Sequence, residues 1–93
     1  MKQVLWYVLA GTRGGYSRIK IIEALIERPY NANQLSEKLE MDYRTIRHHL
    51  KVLTDNNILA RPAGDAYGSM YFLSGMMEKH IGTFEDIRGN VVK

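Results

Sequence analysis

The spacing of apolar residues changes along the chain, and the order of these changes limits the fold more than any other feature. Three segments between residues 17 and 55 carry apolar side chains three and four positions apart, which is the spacing of one helix face. Two short apolar runs, 58–61 and 70–73, flank a loop with proline and glycine and predict a two-stranded hairpin. Helical spacing returns after residue 74. We therefore expect three helices, a hairpin and a further helix, in that order.

Cap and breaker residues bound the first two predicted helices. Ser17 is the predicted N-cap of the first helix, and Pro29 ends it. The predicted apolar face of this helix consists of Ile19, Ile22, Leu25 and Ile26. Asn31 and Gln34 have the spacing of a capping box at the start of the second helix, which we expect to end near Glu40. The third helix must then follow after a short turn.

The third predicted helix combines an apolar face with a basic face. Asp42 is its predicted N-cap, because a carboxylate accepts a free backbone N–H and suits the positive end of the helix dipole. The asparagine pair at 56–57 ends it, since asparagine tolerates a left-handed backbone. We expect Ile46, Leu50 and Leu53 to face the core. At about 100° per residue, the outward residues are then Arg44, His48, Lys51 and Asp55, with Arg47 on the flank.

This order of elements is that of a winged helix-turn-helix domain, and the middle of the chain resembles one family. Residues 31–39 read Asn-Ala-Asn-Gln-Leu-Ser-Glu-Lys-Leu, and after a short turn residues 43–53 read Tyr-Arg-Thr-Ile-Arg-His-His-Leu-Lys-Val-Leu. With the Asn-Ile-Leu at 57–59, they resemble the ArsR-like transcription regulators, especially the archaeal members. The resemblance implies an α+β, mostly α fold: a three-helix core, a two-stranded β-wing and additional N- and C-terminal dimerisation segments.

The same resemblance implies sequence-specific binding to double-stranded DNA by a homodimeric transcriptional regulator. The recognition helix, at about 43–55, would lie in the major groove, where its first turn meets base edges. Arginine reads guanine through two hydrogen bonds, whereas lysine suits a phosphate. The predicted DNA-binding residues are Tyr43, Arg44, Thr45, Arg47, His48 and Lys51, with Ser36, Lys38, Arg61 and Tyr67 as secondary candidates.

Further contacts to the DNA backbone are expected around these residues. Free backbone N–H groups near Asn33 and Gln34 suit a phosphate. Arg13, in the glycine-rich segment 11–15, is a candidate for the DNA backbone. The wing tip contains Asp65 but no basic residue, and Arg61 at its base is the wing's one cation. The wing therefore adds little charge, and binding should depend on the third helix and on two subunits.

Two other interpretations fit the same residues. The basic face is also what an ordinary solvated helix presents. Alternatively, the net charge of only +3 and the acidic wing tip suit a winged helix that binds proteins in a larger assembly and not DNA. His49 lies beside the apolar stripe, and we expect it to be packed and hydrogen-bonded instead of reading bases.

Apolar residues at both ends predict a homodimer. Leu5, Val8 and Leu9 lie beside Trp6 near the N-terminus, and a second stripe near the C-terminus consists of Met77, Ile81, Phe84 and Ile87. A chain of this size buries only about 60 to 65% of its unfolded surface, so a partner subunit adds burial. The alternative is that both segments fold onto their own core. Gly82 also allows the last helix to be two shorter helices.

Other classes of protein are not indicated. Without cysteine a thiolate metal site is impossible, and the adjacent His48 and His49 diverge by about 100°, so we expect no metal and no cofactor. No acid, base and nucleophile cluster predicts an enzyme. The apolar run 4–10 is too short for a membrane helix, so we expect a cytoplasmic protein. No linker divides the chain, which predicts one domain over 1–93: an N-terminal segment at 1–10, a winged-helix core at 16–73 and a C-terminal helix at 74–93.

Overall fold

The structure, a computed structural model, describes residues 1–60 and 68–91 of the 93-residue chain. Most of it is helical, and two short strands pair antiparallel, as the predicted fold class requires. Within these ranges no helix is long and apolar enough to cross a membrane. In chain order the elements are α1 (Lys2–Ala10), α2 (Gly15–Glu27), β1 (Tyr30–Asn31), α3 (Ala32–Leu39), α4 (Tyr43–Asp55), β2 (Met70–Tyr71), α5 (Gly75–Glu78) and α6 (Ile81–Val91).

Helix α2 begins earlier than predicted, so the assignment of Ser17 as its N-cap is wrong. Gly14 occupies the cap position, and no side chain caps the helix. The cause is the packing of α1, since a Cβ atom on Gly15 would lie 2.0 Å from the Leu9 carbonyl oxygen. Only glycine lets the two backbones approach so closely. Tertiary packing, and not a hydroxyl cap, therefore determines where α2 begins.

The buried face of α2 is wider than predicted and is shifted around the helix. It contacts α1, α3 and α4, so it is covered on several sides. Ile21, which was not assigned to the apolar face, is fully buried, whereas Ile26 is 45% exposed. Ile26 instead lines an open groove beside Phe72 and Ile81. The other predicted core residues of this helix are buried: Ile19, Ile22 and Leu25.

Both caps predicted for the helix-turn-helix are formed. Asn31 Oδ1 accepts a hydrogen bond from Gln34 N at 2.7 Å, and Gln34 Oε1 accepts one from Asn31 N at 2.9 Å. Asp42 Oδ2 accepts from Thr45 N at 3.2 Å and caps α4. Between the two helices Glu40 adopts the left-handed conformation, with φ at 54°. The turn therefore reverses within a few residues and sets α4 directly against α3.

The chain leaves α4 through the predicted asparagine pair. Asn57 has φ at 60°, which is the left-handed region that asparagine tolerates. Ile58 N donates to Leu53 O at 2.9 Å across the end of the helix. This reversal turns Ile58 and Leu59 into the core, where both are buried.

The sheet has a different first strand from the predicted one. β2 pairs with β1, with Tyr30 opposite Tyr71 and Asn31 opposite Met70. The predicted arms 58–61 and 70–73 do meet: within the described ranges they are joined by the bridge between Leu59 and Leu73 and by adjoining backbone bonds. β1 was missed because two residues are too few to show a period. Pro29 does end α2, and the residue before it, Arg28, is extended. Arg61 and the loop 62–67 lie outside the described residues.

The terminal segments fold onto the chain's own core, so their apolar stripes are not free for a partner as predicted. Leu5, Val8 and Leu9 are buried where α1 packs against α2 and α6, and Met77, Phe84 and Ile87 are buried as well. The C-terminal segment consists of two helices, α5 and α6. The break lies at Lys79 and His80, and Gly82 lies inside α6. Most of both stripes is thus buried within one subunit, whereas Trp6 and Ile81 are only partly buried.

Candidate nucleic-acid interface

Helix α4 has the orientation that the sequence predicts. Ile46, Leu50 and Leu53 are fully buried or nearly so, and they hold the helix against α3 and α2. The opposite side is exposed, with Arg44, Arg47, His48, Lys51 and Asp55. Because burial of the aliphatic side determines the rotation of the helix, these charged groups face away from the protein together. The result is an exposed face on which basic side chains outnumber the one carboxylate, Asp55.

The start of α4 offers side chains to a partner but is a poor site for phosphate. Arg44 and Thr45 are exposed in the first turn, and Tyr43 is half-buried. The Asp42 carboxylate already accepts from Thr45 N. Its negative charge also repels another anion. Contacts from this end of α4 must therefore come from the side chains of the first turn.

Lys51 is paired on the exposed side of α4. Its Nζ lies 2.8 Å from Asp55 Oδ2, one turn further along the helix. Such an exposed pair contributes only about 0.3–0.5 kcal/mol. The ammonium group can therefore turn from Asp55 towards a phosphate at little cost.

The predicted contacts on α3 are only partly available. Ser36 Oγ donates to Met41 O at 2.6 Å, so its proton is engaged in the turn. The backbone N–H of Gln34 is taken by the Asn31 side chain, and it is not free for phosphate as predicted. Lys38 is exposed, and its Nζ lies 5.6 Å from the Tyr30 ring centroid.

Of the predicted contacts outside these two helices, Arg13 is exposed in the loop before α2. Arg61 and Tyr67 lie outside the described residues.

Behind the basic face lies a buried polar contact that the sequence analysis missed. His49 is buried, as predicted, and its Nδ1 lies 3.0 Å from Nη1 of Arg18 on α2. Burial lowers the pKa of His49, and the nearby charges of Arg18 and His48 lower it further. Burial also lowers the pKa of Arg18. The sequence did contain a signal for the burial of Arg18. It lies one turn before Ile22 and two turns before Leu25, so it shares a helix face with both of these predicted core residues.

Comparisons with known proteins agree on the fold. The family model described as bacterial regulatory protein, arsR family, matches residues 16–60. Among solved structures, the chain is similar to reduced HlyU from Vibrio cholerae, with 20% identity and a TM-score of 0.68, covering 99% of this chain and 90% of that one. It is similar to the transcriptional regulator Tm0710 from Thermotoga maritima, with 20% identity and a TM-score of 0.68, covering 98% of this chain and 66% of that one.

A comparison with curated proteins finds no significant match. At 20% identity the two structures show the fold alone. The family model covers the segment from α2 through α4, which includes both helices of the helix-turn-helix and the basic face. Residues 16–60 therefore match the arsR family of bacterial regulatory proteins, and the chain has the winged helix-turn-helix fold.

Proposed function

We propose that the protein binds double-stranded DNA sequence-specifically as a homodimeric transcription regulator, with α4 in the major groove. The observation that carries the proposal is the division of α4 into a buried aliphatic side and an exposed basic side. An α-helix fits the major groove, and cations on its outer side meet the phosphates that flank the groove. The family match of residues 16–60 supports the same function.

The exposed residues of α4 divide by chemistry into base readers and phosphate contacts. Arg44 lies in the first turn, where a guanidinium reaches the N7 and O6 acceptors of guanine. Thr45 and His48 supply single donors or acceptors to neighbouring base edges. Arg47 lies on the flank and Lys51 lies two turns after Arg44, and both suit phosphates. Tyr43, Ser36, Lys38, Arg61 and Tyr67 remain secondary candidates.

The proposed homodimer uses the outer side of α1, because the inner side is occupied by the core. Tyr7 is 67% exposed there, and Trp6 beside it is only partly buried. α6 packs alongside α1, so both helices are close to this surface. A two-fold dimer would present two copies of α4 to half-sites about one DNA turn apart. Sedimentation showing a monomer at micromolar concentration would remove this part of the proposal.

The proposed action is occupancy of a site on DNA in the cytoplasm, by one domain and without a catalytic step. The proposal needs no bound metal. Within the described part of the chain, no group of three histidine, aspartate or glutamate side chains could hold a metal ion. Because each phosphate contact releases counterions, we expect the affinity for duplex DNA to fall as the salt concentration rises.

The proposal is tested by fluorescence anisotropy with labelled duplexes, after selection of bound fragments from random DNA. Lys51→Ala should weaken binding to all sequences and reduce the salt slope by about 1. Arg44→Ala should cost about 1–3 kcal/mol of discrimination at one base pair. The matched control is Lys79→Ala, which removes one exposed positive charge beyond α5.

Two results would contradict the proposal. Equal effects of Lys79→Ala and Lys51→Ala would show that only net charge matters, and that α4 does not face the DNA. No binding to generic duplex at low salt would favour the alternative, a winged helix that binds proteins.

A further inference from the structure

Arg18 is a buried cation that joins three parts of the protein. It is only 4% exposed. Its Nε donates to the Val8 carbonyl at the end of α1 at 3.2 Å, and its Nη2 donates to Thr12 Oγ1 in the loop before α2. Its Nη1 donates to His49 Nδ1 on α4 at 3.0 Å. Among residues 1–60 and 68–91 it has no acidic partner, so neutral acceptors alone hold the guanidinium.

The glycine-rich segment makes room for this contact. A Cβ atom on Gly14 would lie 2.6 Å from Arg18 Nη1 and 2.7 Å from His49 Cε1. Any larger residue would therefore separate the guanidinium from the imidazole. This gives position 14 a packing role in placing α4 on α2.

The donor and acceptor roles define the protonation state of His49. A guanidinium has only donors, so Nδ1 must accept, and the ring must be neutral with its proton on Nε2. Protonation would place a hydrogen on Nδ1 that points at Arg18 and would oppose two cations. The charged groups that act on the imidazole are Arg18 from α2 and His48 on α4 itself, whose ring centroid is 5.6 Å away.

The other neighbouring elements do not compensate a charge on His49. α1 presents the Val8 carbonyl and the following loop presents the Thr12 hydroxyl, and both are engaged with Arg18. α3 packs against α4, but none of its described charged side chains acts on the imidazole. Among residues 1–60 and 68–91 no carboxylate acts on the imidazole, so a proton on His49 would meet positive charge and the contact that anchors α4 would break.

We propose that Arg18 is a positioning residue for α4, and that proton uptake by His49 releases this contact and weakens DNA binding. The inference rests on the proposed DNA-binding function. The direction in which DNA affinity changes with pH distinguishes this proposal from an ordinary charge effect. An exposed histidine on a DNA-binding face gains attraction for phosphate when it is protonated. His49 acts in the opposite direction, because its proton disturbs the helix that carries the contacts.

The test is the affinity of the full chain for its selected duplex between about pH 5 and about pH 8 at constant ionic strength. His49→Asn keeps an acceptor oxygen close to the position of Nδ1 but cannot be protonated. We expect the wild type to lose affinity several-fold on acidification relative to this variant, because a proton on His49 breaks the contact with Arg18. His80→Gln, which removes a histidine outside α4, should follow the wild-type curve.

A second readout separates a positioning role from a merely structural one. Nitrogen-15 NMR should show His49 Nδ1 unprotonated at neutral pH. Arg18→Met should raise the pKa of His49 while the chain stays folded, because it removes the charge of Arg18 and leaves the effect of burial in place. Identical pH curves for His49→Asn and the wild type, or a protonated Nδ1, would overturn the inference. If the NMR result holds but no duplex binds at any pH, the proposed function fails while the contact stands.

Discussion

The close approach of α1 and α2 leads to a sharp prediction for Gly15→Ala. The new Cβ atom would lie 2.0 Å from the Leu9 carbonyl oxygen, so the two backbones must separate by about 1.4 Å to reach ordinary contact at 3.4 Å. Overpacking of this kind costs about 1–3 kcal/mol, and a clash with backbone belongs at the upper end. Alanine recovers up to about 1 kcal/mol of helix preference. We expect a net loss of about 2 kcal/mol in the free energy of unfolding.

Urea denaturation followed by far-ultraviolet circular dichroism measures this loss as a lower midpoint at unchanged m-value. In a thermal scan it corresponds to a decrease in Tm on the order of 10 °C. Gly82→Ala is the matched control, since no heavy atom lies within 4 Å of its Cβ position in α6. The control should gain about 0.5–1 kcal/mol. A stabilising Gly15→Ala would refute the reasoning, because it would mean that α1 does not pack at this distance.

Three further predictions concern stability. The pKa of His49 is lower in the folded than in the unfolded chain, so the stability that His49 contributes is present above about pH 6.5 and is lost as pH falls towards the folded pKa. Urea titrations at several pH values should show a smaller loss of stability in His49→Asn than in the wild type. An equal loss would be contrary to this account. Thr54 Oγ1 is buried and has no hydrogen-bond partner in the part of the chain that the structure describes, so Thr54→Val should raise the free energy of unfolding by about 1 kcal/mol. A decrease would contradict this account. Asn31→Ala removes one half of the capping box and should cost about 1 kcal/mol, whereas exposed Asn33→Ala should cost less; equal losses would argue against the cap.

Features that depend on neighbouring residues could be predicted from the sequence. The capping box of Asn31 and Gln34 and the cap of Asp42 join residues three positions apart, so the local sequence contains both partners. The rotation of α4 follows from the spacing of its aliphatic residues, and the same spacing identified the exposed cations of the candidate interface.

Features that depend on distant contacts could not be predicted in this way. The start of α2 is decided by Leu9 of another helix, and the partner of β2 is a two-residue strand with no period of its own. The spacing of an apolar stripe also does not tell whether it packs within the chain or against a second copy. Leu5 was therefore predicted to contact a partner subunit, whereas it is buried in the core of its own chain. Arg18 was missed because a cation within a helical pattern is most often at the surface.

The pairing of β1 with β2 affects how the molecule would meet DNA. Asn31 caps α3 through its side chain and pairs with Met70 through its backbone, so one residue belongs to both the helix and the sheet. The strand that returns from the wing is thereby tied to the entrance of the helix-turn-helix. In the proposed DNA complex, these two parts would reach the groove with their relative placement already set. Less conformational entropy is then lost at the moment of association, which favours affinity without any additional contact.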